Sequence, residues 1–150
     1  MYKDILLPID LNHESSWRSA LPVALAHCKA FGARLHVMTV VPEFGMSIVG
    51  NFFPEGFEKK HLENATKLLH EFVAKKIPAD CKVQHIVAEG KAYKEILAMA
   101  DEIKADLIIM GSHRPEMKDY LLGPNAERVV RHSPRSVLVV RDELPNDDIL

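Results

Sequence analysis

The chain of 150 residues predicts a single α/β domain in which a parallel sheet is wrapped by helices. Three observations predict it. Short apolar runs without polar alternation, such as Ile5-Leu6-Leu7-Pro8-Ile9 and Leu107-Ile108-Ile109-Met110, suit strands covered on both faces. Between the runs lie stretches whose apolar residues recur at helical spacing. The two kinds of segment alternate as β-α-β-loop-α-β-α-β-α-β, without repeat or linker.

The first strand is Ile5 to Ile9. Asn12 is expected to cap the helix that follows, with Glu14 in its first turn. Trp17, Leu21, Ala24, Cys28 and Phe31 mark its buried face, Gly32 ends it, and Pro22 should bend it by removing a backbone donor. Leu35 to Val41 is the second strand. Residues 42–57 form a loop, and a second helix runs from about Glu58 to Lys76 with Leu62, Ala65, Leu69, Phe72 and Val73 on one face. Val83 to Ala88 is the third strand, closed by Gly90. Tyr93, Ile96, Leu97, Ala100 and Ile103 mark the third helix, and Leu107 to Met110 the fourth strand. A short helix around Ala126 to Arg131 precedes the last strand, Ser136 to Arg141. The acidic tail from Asp142 is expected to fray.

Composition bounds the function. The hydrophobic fraction of 47% and charged fraction of 27% are ordinary for a globular protein. A net charge of −2 with no basic block gives no footprint for nucleic acid. No apolar run approaches the ~20 residues of a membrane span. The N-terminus enters a strand directly, and Cys28 and Cys81 lack metal or scaffold spacing, so a cytoplasmic protein with reduced, buried thiols is expected.

In such sheets ligands sit beyond the carboxyl ends of the strands. The segment from Gly111 to Asn125 has that position, between a buried strand and a helix start. Gly111 and Gly123 tolerate positive φ and close approach of a ligand, and free N–H groups at the helix start attract phosphate oxygens. Ser112 and Asn125 add hydrogen-bond donors, and Arg114 a forked cation. The same composition also fits an ordinary strand-to-helix turn. Neither GxxxxGK[ST] nor GxGxxG occurs in the chain. His113 could touch phosphate, act as an acid or base, or simply be exposed. The eight histidines show neither HxH nor HExxH spacing, which argues against a metal site. Ser15 and Ser16 read as first-turn helix residues. Phe52, Phe53 and Phe57 either fold back on the core or form a lid or contact surface.

Pro8-Ile9-Asp10, Met110-Gly111-Ser112-His113, Leu121-Leu122-Gly123 and the ending Ser136-Val137-Leu138-Val139-Val140 together resemble the universal stress protein family over about residues 2–141. The Gly-Ser-His-Arg-Pro start and Tyr-Leu-Leu-Gly sequence are similar to its F/G-type bacterial branch. The resemblance implies a doubly wound, five-stranded parallel sheet of order 3-2-1-4-5 with helices on both faces. It also implies a site for ATP, with magnesium as counter-ion, and a homodimer paired through the edge strand Val137 to Val140, or a dimer of dimers. The family's ATP-binding members use GxxGx9G[ST]. Gly111 matches the first glycine, Gly123 the last, Asp10 the aspartate of the first strand's Pro-x-Asp, and Val40 the adenine-contacting valine. Arg114 replaces the second glycine, the spacing to Gly123 is one residue shorter, and Pro124 offers neither hydroxyl nor N–H.

The expected site is therefore Pro8, Asp10, Val40, Gly111, Ser112, His113, Arg114, Gly123, Pro124 and Asn125. No nucleophile–base pair is evident, so an ATP-binding regulatory factor is the leading expectation. A nucleotide-free dimeric scaffold, or a slow phosphoryl-transfer enzyme using His113, Arg114 and Asp10, are the alternatives.

Overall fold

The computed structural model describes residues 1–42, 57–112 and 122–142, with only the backbone of Phe57 and Glu58. Five strands, β1 (Asp4–Ile9), β2 (Arg34–Val41), β3 (Val83–Glu89), β4 (Leu107–Gly111) and β5 (Ser136–Val140), form one sheet in the order β3-β2-β1-β4-β5. All neighbouring pairs are parallel, with Ile5 opposite both Leu35 and Leu107. The expected topology is the observed one.

Alternation along β1 splits its side chains between two cores. Ile5, Leu7 and Ile9 face α1 (Ala20–Phe31) and α2 (Phe57–Lys76), where they pack with Leu21, Ala24, Leu69 and Phe72. Leu6 faces α3 (Ala92–Glu102) and α4 (Pro124–His132), among Met38, Ile96, Ile108, Ala126 and Val129. Leu6 and Leu7 are both 0% exposed, which explains why this strand reads as an unbroken apolar run. Removing such a side chain to alanine costs about 2–5 kcal/mol.

Four local expectations are corrected. Asn12 does not cap a long helix: a 3-10 turn, Glu14–Ser16, comes first, and α1 starts only at Ala20. Trp17 therefore lies between the two, with its ring edge-on to Phe72 at 5.0 Å. Pro22 falls in the first turn of α1, where helical N–H groups lack an intrahelical acceptor, so no bend needs to follow from it. Asp142 is held at the start of α1, accepting from Ser19 Oγ at 3.2 Å and Arg18 at 3.4 Å. Gly32 does end α1, in the left-handed conformation at φ 65°.

Among the described residues no helix is long and apolar enough to cross a membrane. The Phe52–Phe53 pair, the side chain of Phe57 and the tail beyond Asp142 lie outside the described residues.

Candidate functional site

Strand order reverses between β1 and β4, because the chain runs outward from β1 through β2 to β3 and then crosses back to β4. The helices that follow β1 and β4, α1 and α4, therefore pack on opposite faces of the sheet and leave a crevice. A cavity of about 580 Å³ occupies that crevice, within the range of small-molecule sites. One wall comes from the end of β1 and the turn after it, Pro8, Asp10, Asn12, His13 and Ser16. Val40 of β2 and Pro42 just after it, with Gly90, Ala92 and Ile96 around the start of α3, make a largely apolar wall. Gly111 and Ser112, with Gly123 to Ala126 at the start of α4, close the third side.

The turn after β1 is held by its own side chains. Asp10 Oδ1 accepts the Asn12 N–H at 2.9 Å, and Oδ2 lies 2.9 Å from His13 Nδ1. Ser16 Oγ accepts the Asp10 N–H at 2.8 Å and sits 2.7 Å from the His13 carbonyl. These bonds span two to six residues, so the short segment Asp10–Ser16 shapes itself. Asn12 and Ser16, expected as a helix cap and a first-turn residue, instead brace this wall.

The glycines work differently from expectation. Neither Gly111 nor Gly123 has positive φ, so conformational freedom does not explain them. A Cβ on Gly111 would lie 3.1 Å from the Ser16 carbonyl oxygen and 3.2 Å from that of Ser15. Gly111 thus lets the 3-10 turn press against the end of β4. Gly90 does need its freedom, at φ 141°.

At the start of α4 the set of backbone donors is reduced. The Gly123 N–H already donates to the Ser112 carbonyl at 2.7 Å, and the Ser112 N–H to Val140 at 3.0 Å. Pro124 stands at the first helical position and has no N–H. Asn125 and Ala126 follow it in the first turn and line the cavity. The serine hydroxyl of Ser112 is on a residue only 4% exposed.

Of the ten residues expected from the sequence, Pro8, Asp10, Val40, Gly111, Ser112, Gly123, Pro124 and Asn125 line this one cavity. His113 and Arg114 lie outside the described residues. Asn12, His13, Ser16, Ala92 and Ile96 were not among the ten. The only sequence signal for them was position, since each follows or lies near the carboxyl end of a strand.

A five-stranded parallel sheet of this order, with helices on both faces, places the chain in the doubly wound α/β class, whose ligands sit at the switch point. The chain belongs to the Universal stress protein family, whose profile matches residues 1–141. It is 29% identical over 143 residues to Universal stress protein G of Escherichia coli O157:H7, covering 94% of this chain and 100% of that one. It resembles the solved hypothetical protein MJ0577 at 31% identity and a TM-score of 0.71, over 97% of this chain and 99% of that one. A universal stress protein solved in complex with cAMP shares the fold at 24% identity and a TM-score of 0.65, over 93% of this chain and 97% of that one.

Proposed function

We propose that the crevice binds an adenine nucleotide, ATP with magnesium as its counter-ion, and that the protein is a cytoplasmic, nucleotide-responsive regulatory factor. The observation that carries this reading is the switch-point cavity, which joins an apolar wall to a helix N-terminus. Val40, Pro42, Ala92 and Ile96 suit the flat, apolar faces of the base. The turn from Asp10 to Ser16 offers hydroxyl, carboxylate and imidazole groups to a ribose. Phosphates would lie toward Asn125 and Ala126, whose amides sit at the positive end of the α4 dipole. A universal stress protein of the same fold was solved in complex with cAMP, which supports the choice of an adenine ligand.

This chain's residues fit the nucleoside end better than a long phosphate chain. Gly123 and Pro124 contribute no free N–H, so the described backbone alone makes a shallow phosphate cradle. Arg114 is assigned the missing charge, pairing with phosphate as a forked cation. Its test is Arg114→Ala, which should weaken ATP more than adenosine. We assign pairing with a second copy to the outer edge of β5, since an apolar edge strand presents unpaired backbone groups.

The reduced donor set also favours a second reading, a family member working as a scaffold without nucleotide. Freshly purified protein, denatured and chromatographed, separates the two. Release of an adenine nucleotide is expected. Its absence, together with no thermal shift under ATP and magnesium, would establish the scaffold.

A further inference from the structure

The wall of the crevice carries little charge. Among the described residues that line it, Asp10 and His13 are the only two that ionise. They are bonded to each other, His13 Nδ1 to Asp10 Oδ2 at 2.9 Å, and more than a third of each side chain is exposed, 37% for His13 and 38% for Asp10. That bond fixes the tautomer. An ionised carboxylate only accepts hydrogen bonds, so Nδ1 carries the proton and Nε2 is left with the lone pair. Among the described residues none bonds to Nε2. Protonation at Nε2 therefore changes the charge of the wall and leaves the Asp10 bond, and the turn it braces, in place.

The other charged groups around the crevice do not line it. Glu14, next in the 3-10 turn, is exposed, as is Lys91 before α3. Glu95 of α3 lies against Gly90, where an added Cβ would meet its carboxylate at 2.7 Å. On α4, Glu127 pairs with Arg131 at 2.9 Å, and Arg128 lies over the Tyr93 ring at 4.7 Å. After β5, Asp142 pairs with Arg18 at 3.4 Å. The described wall is thus negative when His13 is neutral, and the Asp10 charge is balanced when His13 is protonated. Field lines concentrate in a crevice with apolar walls, so one charge is felt across the cavity.

Resting on the nucleotide reading above, we propose that the Asp10–His13 pair sets the crevice's preference for the charge of its ligand. With His13 neutral, Asp10 repels a phosphate; with His13 protonated, that repulsion is cancelled without moving the wall. Histidine is the side chain whose charge ordinarily changes between pH 5 and 8. An anion that prefers the protonated form also favours uptake of that proton, by linkage. Affinity for a phosphate-bearing ligand therefore rises as pH falls, and an uncharged nucleoside lacks this dependence. One unit charge acting across the cavity corresponds to a change of about fivefold.

The test is equilibrium dialysis of the full chain, from pH 8 to pH 5.5, against cyclic AMP and separately against adenosine. The diester phosphate of cyclic AMP keeps a single charge throughout this range, and adenosine has none. For the wild type the ratio of the two affinities should rise about fivefold toward pH 5.5. For His13→Gln, which keeps every other histidine, it should stay within about twofold. Asp10→Asn keeps an oxygen to accept the Asn12 N–H and should raise the ratio at pH 8 by about fivefold, a gain that a merely structural role for the pair does not produce. A wild-type ratio that does not change with pH, or a His13→Gln ratio that still climbs, would overturn the proposal and leave the nucleotide site standing. Binding of neither compound at any pH would overturn the nucleotide reading and the proposal with it.

Discussion

The two ends of the sheet satisfy their polar groups in opposite ways. At the carboxyl end, Asp10, Asn12, His13 and Ser16 bond among themselves over two to six residues of sequence. At the amino end, polar groups reach across the sheet. The Asp106 carboxylate accepts the Lys3 N–H at 2.8 Å and the Asp4 N–H at 3.2 Å, bridging β4 to the start of β1. Asp4 Oδ1 lies 2.9 Å from Nε2 of His36, whose Nδ1 bonds Gln84, so β1, β2 and β3 are joined in turn. These contacts span 32 to 103 residues of sequence. A loop that holds itself leaves the strand ends open for a ligand, whereas a polar ladder between strands closes them. One end leaves a crevice, and the other locks the strands together.

Breaking the ladder should therefore cost stability and spare the ligand. His36 is 4% exposed, and His36→Ala removes the partner of both Asp4 and Gln84. A loss of about 2–4 kcal/mol is expected, seen as a fall in Tm of roughly 5–15 °C. Calorimetry well below the new Tm should still find ATP bound with an affinity within threefold of wild type.

Changes at the open end should show the converse. In Gly111→Val the new Cβ lies 3.1 Å from the Ser16 carbonyl oxygen and 3.2 Å from that of Ser15, so the 3-10 turn must give by a few tenths of an ångström, and the branched γ carbons add to the crowding. A cost of about 1–3 kcal/mol is expected, together with at least a hundredfold loss of ATP affinity by fluorescence titration. Asp10→Ala should act more gently. It removes the acceptor for the Asn12 N–H and for His13, loosening one wall of the cavity. About a tenfold loss of affinity with a Tm change within roughly 2 °C would fit that role.

A site outside both ends gives the smallest effect. His85 on β3 stacks on His70 of α2 with ring centroids 3.9 Å apart. Burial first, and then the His70 charge, hold the His85 imidazole below its usual range. The unfolded chain therefore binds this proton more readily than the folded one. The stability is fully present above the ordinary histidine value and lost as pH falls through the lowered one. Thermal melts from pH 7 to pH 5 should show a small fall in Tm, and His85→Gln should reduce it.

The same contrast explains what was legible in the sequence. Strand order was legible only through the family resemblance that the short motifs carry, and the expected wall residues through the motifs' places, since Pro8-Ile9-Asp10 and Gly111-Ser112 each sit within a few residues of a strand end. The amino-end ladder carried no such signal, because Asp4, His36, Gln84 and Asp106 become neighbours only through the register of the strands. Gly111 shows an intermediate case. Its importance was readable, but its reason was the approach of the Ser15 and Ser16 carbonyls, contributed by a turn nearly a hundred residues earlier. The start of α1 was misplaced because Trp17 stands at helical spacing from Leu21, although it lies between the 3-10 turn and the helix.

An adenine-nucleotide site in the carboxyl-end crevice requires nucleotide binding that depends on the crevice's own geometry. Isothermal titration of the wild-type protein with ATP and magnesium tests it most directly, with Gly111→Val titrated alongside. One nucleotide per chain is expected for the wild type and no saturable heat for the variant. Equal binding by a folded Gly111→Val protein would contradict it.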